Sequence, residues 1–107
     1  MFSIFTKKVM NEELAKEFWL WFEEKEDWIK ECISNGNIEF IGEIDKRLKP
    51  IFPYFKKELE FLLGYNDGIG EFYFYHFYNK DLMRDGEKLK ALMPSSIASK
   101  WKFILEE

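Results

Sequence analysis

Residues 71–78 read Glu-Phe-Tyr-Phe-Tyr-His-Phe-Tyr. Aromatic side chains in an almost unbroken run suit a pleated, half-buried surface, so this segment is predicted to be a strand. Side chains alternate across a strand. Glu71, Tyr73, Tyr75 and Phe77 therefore share one face, and Phe72, Phe74, His76 and Tyr78 the other. A fold containing this strand must deal with aromatic groups on both sides of a sheet. The rest of the chain adds to that demand, because 12 Phe, 5 Tyr and 4 Trp stand among only 107 residues.

The partner of that strand is read at 57–64, KELEFLLG, joined through the glycine-rich stretch 64–70 in a β-hairpin with strands 57–64 and 70–78. The spacing implies a connection longer than the two-residue minimum. Upstream, 11–34 has helical periodicity. Leu14, Ala15, Phe18, Trp21, Phe22, Trp28, Ile29, Cys32 and Ile33 fall on one stripe, Asn11 is a good N-cap, and Asn35-Gly36 is a stop signal. Glu17, Glu23, Glu24, Glu26, Asp27 and Glu31 lie mostly off the stripe. A second helix over 38–49 is capped by Asn37 and halted by Pro50 and Pro53. A short third helix is read over 81–93, capped by Asp81 or Asp85, with Gly86 weakening its middle. Residues 100–105 alternate as a last strand, with Trp101, Phe103 and Leu105 on one face and Lys100, Lys102 and Ile104 on the other. Residues 1–6 are read as an edge strand or an arm.

The expectation is a single α+β domain over 1–107: two N-terminal helices, a β-hairpin, a short helix and a last strand, with the helices on one face of a small, mainly antiparallel sheet. The last strand follows a helix and can pair parallel to a hairpin strand through a crossover.

Several chemistries are disfavoured. The net charge is −4 and no run of four Lys/Arg occurs, so nucleic acid, which needs a basic footprint, is not expected as a partner. Cys32 and His76 are the only soft metal ligands, which excludes a cysteine-rich zinc site and an intrachain disulfide. No apolar stretch approaches the ~20 residues that span a bilayer. The chain reads as a soluble cytoplasmic protein with no membrane partner.

His76 has no sequence neighbour to orient it as a general base and reads as structural. Ser95, Ser96 and Ser99 lack the spacing to Lys100 of a serine-lysine hydrolase and read as a turn after Pro94. Gly64, Gly68 and Gly70 are followed by a strand, not by the helix a phosphate loop requires, and Asn66, Asp67 and Glu71 do not match an EF-hand. Cys32 lies on an apolar stripe among acids and reads as inert. No residue is assigned a catalytic, cofactor-binding or metal-ligating role, and no cofactor is expected.

What remains is surface. Residues 11–31 hold eight acids and three lysines, so the first helix carries the chain's negative excess. Trp19 and Leu20 sit at or beyond the edge of its apolar stripe, which is explained either by a covering element or by a partner. The aromatic strand leaves one face uncovered by helices. Either the terminal segments or a second copy cover it, or it is a partner-binding platform, for which interface tyrosines are well suited. The interaction candidates are thus Trp19, Leu20, Glu23, Glu24, Asp27, Tyr73, Tyr75 and Phe77.

Phe18-Trp19-x-Trp21-Phe22, Leu59-Glu60-Phe61, Glu71-Phe72-Tyr73-Phe74, Leu92-Met93-Pro94 and Trp101-Lys102-Phe103 together resemble a group of small bacterial proteins of uncharacterised function. Met93 stands where that group has a small residue before the proline. The resemblance implies an α+β fold and brings no catalytic residues. The functional expectation is a non-enzymatic protein-interaction module, of immunity or regulatory type, whose acidic helix meets a basic partner; a homodimer is the other way to use the surface. The alternative is a ligand-binding domain or enzyme with a pocket between sheet and helices, built on His76, Tyr73, Tyr75 and Glu71.

Overall fold

The structure, a computed structural model, describes residues 8–107. The expectation for residues 1–6 lies outside the described residues. The element order is α1 (Glu12–Asn35), α2 (Glu39–Leu48), a 3₁₀ turn (Lys49–Ile51), β1 (Glu60–Asn66), β2 (Ile69–Tyr75), α3 (Lys80–Ala91), α4 (Ser95–Ala98) and β3 (Trp101–Glu106). The fold is α+β, with the strands ordered β1-β2-β3 in one sheet. β1 and β2 are antiparallel, and β3 runs parallel to β2.

α1 begins where Asn11 Oδ1 accepts the Leu14 amide at 3.1 Å. It ends where Gly36, at φ 69°, turns the chain so that the Asn37 N–H reaches the Cys32 carbonyl at 2.9 Å. The capping position of α2 is Ile38, not Asn37, and makes no side-chain cap bond; Asn37, one residue earlier, accepts the Glu39 amide through Oδ1 at 2.9 Å. Across the α1–α2 seam, the Arg47 guanidinium lies 4.3 Å from the Trp21 ring centre.

The hairpin differs from the sequence expectation. β1 starts at Glu60 and the reversal takes only Asp67 and Gly68, which have φ 51° and 80°. Two positive φ values make the mirror-image turn whose twist matches that of the strands, and Asp-Gly is a favoured pair for it. Gly64 and Gly70 belong to the strands. Gly70 pairs with Trp101, and a Cβ built on Gly70 would stand 2.3 Å from the Trp101 ring. Its bare backbone is what lets the indole lie flat across β2.

β2 is also shorter than read. It stops at Tyr75, and Phe77 and Tyr78 turn the chain away at φ 53° and 58°. The turn closes with the Asn79 N–H on the His76 carbonyl at 2.8 Å. Asn79, not Asp81 or Asp85, then caps α3, its Oδ1 accepting the Asp81 and Leu82 amides. α3 runs unbroken through Gly86. A Cβ there would meet Leu105 Cδ2 at 2.5 Å, so Gly86 sets how closely α3 approaches β3.

All the packed aromatics of the sheet lie on one face. Phe18 and Phe22 of α1 meet Phe72, and Phe22 meets Trp101 edge-on at 5.1 Å. Trp19, offered by the sequence as an interaction residue, is instead only 1% exposed. α3 covers it. Its ring stands edge-on to Phe18, Phe22, Phe72 and Phe103 at centroid distances of 4.9–6.2 Å. Its Nε1–H donates to the Leu89 carbonyl at 2.8 Å, satisfying a carbonyl in the last turn of α3 that has no helical donor to itself.

Chemical denaturation of three variants tests this packing. Gly70→Ala is expected to cost about 1–3 kcal/mol, because a rigid indole blocks the new methyl. Gly86→Ala is expected to cost less, because only a flexible leucine end must move and the helix gains about 1 kcal/mol of propensity. Trp19→Phe keeps most of the ring contacts but leaves the Leu89 carbonyl with only the shared Leu92 N–H at 3.2 Å, and is expected to cost about 1 kcal/mol.

Candidate functional site

The sheet register fixes what each side chain faces. Phe61, Leu63, Tyr65, Phe72, Phe74, Trp101 and Phe103 turn toward the helices. The alternate residues form three rows across the opposite face: Gly64–Glu71–Lys102, Leu62–Tyr73–Ile104 and Glu60–Tyr75–Glu106. Leu62 is 57% exposed, and Tyr73, Tyr75 and Ile104 are half-buried. A Cβ added at Gly64 would meet nothing within 4 Å, which is what an uncovered face requires. The Tyr73 hydroxyl donates to Glu71 Oε1 at 3.2 Å, a bond made along this face.

The division of aromatics between the faces is chemical. β2 gives Phe72 and Phe74 to the core and Tyr73 and Tyr75 to the open side. A phenol can keep its hydroxyl in water while its ring covers backbone, whereas a benzyl group has no polar end to leave exposed.

The structure does not bring the sequence-derived candidates together. Tyr73 and Tyr75 share the open sheet face. Leu20, Glu24 and Asp27 are exposed on the outer side of α1, with Leu20 63% exposed. Glu23 is exposed too, but its carboxylate accepts the Ser96 hydroxyl and so ties α1 to α4. Phe77 lies outside the strand, in the positive-φ turn, where its ring stacks on Phe55 at 6.1 Å and 4°. These two rings and Tyr54 line a groove of about 640 Å³ beside Lys57 and Glu60.

Glu26 lies off the apolar stripe of α1 in the sequence pattern, yet it is buried. Its carboxylate accepts Lys100 Nζ and Trp101 Nε1–H, both at 2.9 Å, and has Lys30 at 3.6 Å. Burial by itself would raise its pKa. The two hydrogen bonds and the charges of Lys30 and Lys100 outweigh that and hold the carboxyl below its ordinary range. Asp85 of α3 is the second buried carboxylate, fully enclosed. It is held by the Arg84 guanidinium at 2.9 and 3.0 Å and by the Tyr54 hydroxyl at 2.7 Å. Its pKa is likewise lowered against the effect of burial, and that of Tyr54 is raised by burial and by the adjacent carboxylate. Both acids are fully partnered and connect elements distant in sequence.

His76 is buried, with Nδ1 accepting the Tyr78 amide at 3.0 Å, which makes it part of the turn. Cys32 is buried. Among the described residues, no group of three or more His, Cys, Asp or Glu is placed to hold a metal ion, and no helix is long and apolar enough to cross a membrane. Comparison of the chain with protein families, curated proteins and solved structures finds no match.

The two buried carboxylates set the acid limb of stability. Each has a lowered folded pKa, so its contribution is complete above its ordinary value, 4.5 for Glu26 and 3.8 for Asp85, and is lost as pH falls through the folded value below that. Urea unfolding should show stability falling below about pH 4.5. Glu26→Gln should lower stability by about 1–3 kcal/mol at pH 7 and flatten that fall, so that the two curves converge in acid. Parallel curves would remove Glu26 from this role.

Proposed function

We propose that this chain is a non-enzymatic protein-interaction module of the bacterial cytosol, of regulatory or immunity type, and that it meets its partner through the open sheet face. One observation carries the reading. Among the described residues, an entire face of a three-stranded sheet holds Leu62, Tyr73, Tyr75 and Ile104 with no helix against it. Tyrosines with adjoining aliphatic groups provide rigid contact area at low entropic cost, and they are enriched where proteins bind one another. The exposed acids Glu24 and Asp27 beside Leu20 on α1 add a negative field that favours encounter with a basic partner.

The alternative, a pocket between sheet and helices, finds less support. Glu71, Tyr73 and Tyr75 line the open face, whereas His76 is enclosed on the other side and engaged with the Tyr78 amide. Phe72, Phe74, Phe103 and the α1 aromatics fill the space between the layers.

Leu62→Lys tests the reading. Leu62 is mostly exposed, so thermal unfolding should move by no more than about 0.5 kcal/mol, as for ordinary surface substitutions. Binding to a protein partner, measured by calorimetric titration against the proteins encoded beside it and by self-association, should be lost. A binding isotherm unchanged by Leu62→Lys would remove the sheet face from the interaction.

A further inference from the structure

The open face carries a charge pattern that is self-complementary in one orientation. Its middle row, Leu62–Tyr73–Ile104, is apolar. One outer row, Gly64–Glu71–Lys102, has one anion and one cation, and the other, Glu60–Tyr75–Glu106, has two anions. Among the described residues, Lys102 and Glu106 make no ion pair.

Two copies packed face to face about a twofold axis can meet in two ways. If the axis runs along the strands, each row meets its own kind. Glu71 then faces Glu71 of the second copy, and Glu60 faces its Glu106, so carboxylates oppose carboxylates. If the axis runs across the strands through the middle row, the outer rows exchange. Lys102 then faces Glu106 of the second copy, and Glu71 faces the hydroxyl of its Tyr75. The missing side chain at Gly64 leaves room for its Glu60. Tyr73, Leu62 and Ile104 meet their own counterparts at the centre.

We propose that a second copy of this chain covers the open face in this antiparallel arrangement. The inference rests on the reading of that face as an interaction surface, and it names the occupant. The size of the face sets the strength. Seven residues at about 3.3 Å and three strands at about 4.8 Å give a patch of about 330 Å² in projection for each copy. About 670 Å² in total is well below the ~1,200–2,000 Å² of stable complexes. The dimer is therefore weak, with a dissociation constant above about 1 μM.

Sedimentation equilibrium of the full chain from about 10 μM to about 1 mM tests this, because the range brackets such an affinity. The wild type is expected to associate, less so at high salt. Lys102→Glu and Glu106→Lys each turn two attractive contacts into repulsive ones and are expected to weaken association by about tenfold. An equimolar mixture of the two variants should associate again, since each supplies the charge the other needs, and so should the double variant. Far-UV circular dichroism checks folding, and Lys102→Gln and Glu106→Gln replace any reversal that unfolds the chain. A chain that stays monomeric throughout, or one whose association ignores these substitutions, overturns the proposal. The monomeric outcome leaves the face to a foreign protein, and binding to that protein would still be lost in Leu62→Lys; only an isotherm indifferent to Leu62→Lys removes the face itself.

Discussion

The fold turns on the indole of Trp19. It joins two helices and the sheet: edge-on to Phe18 and Phe22 in α1, edge-on to Phe72 and Phe103 below, and hydrogen-bonded to the last turn of α3. Its large ring fixes the spacing of the layers, and its single N–H fixes the orientation of α3 over them. Glu26 performs the matching task two turns further along α1, where its carboxylate receives the Trp101 indole and Lys100 at the start of β3. One helix thus holds both halves of the parallel crossover by directional bonds made inside an otherwise non-directional aromatic core. Such buried polar contacts are costly when half-made, so they favour one packing over its competitors.

With α1, α3 and α4 all committed to the same side, no helix among the described residues covers the other face of the sheet. β2 accommodates this by alternating Phe with Tyr, so that the benzyl rings enter the core and the phenols face outward. The high aromatic content is therefore two populations with different solvent requirements.

Much of this was legible in the chain. Asn11 and Gly36 mark the ends of α1, and the alternation over 71–75 and 101–105 gives the faces of two strands, because these signals are local. The misread features have distant causes. Trp19 lies at the edge of a simple helical stripe, but α3 extends the covered area, through a contact 70 residues away in sequence. Glu26 looks like one more surface acid because its partners, Lys100 and Trp101, come 74 and 75 residues later. In the hairpin, reading every glycine between 64 and 70 as loop hid the Asp67-Gly68 signal. Gly70 is there to admit Trp101, which only the parallel pairing of β3 makes visible. The departure of Phe77 from the strand was hidden similarly, since nothing in an aromatic run announces two left-handed residues.

The parallel seam between β2 and β3 also has a consequence in time. Its strand is the last element described, and the bonds that seat α1 join residues 70 and 75 positions apart. Contacts so distant in the chain form only after a large loop is closed, which slows the search for the native state. Until β3 docks, one side of the hairpin presents Phe72 and Phe74 and β2 has an unpaired edge. The vulnerable moment of this molecule is therefore during its birth: a chain emerging from the ribosome carries its stickiest strand in the open until Trp101 and Phe103 arrive to close it.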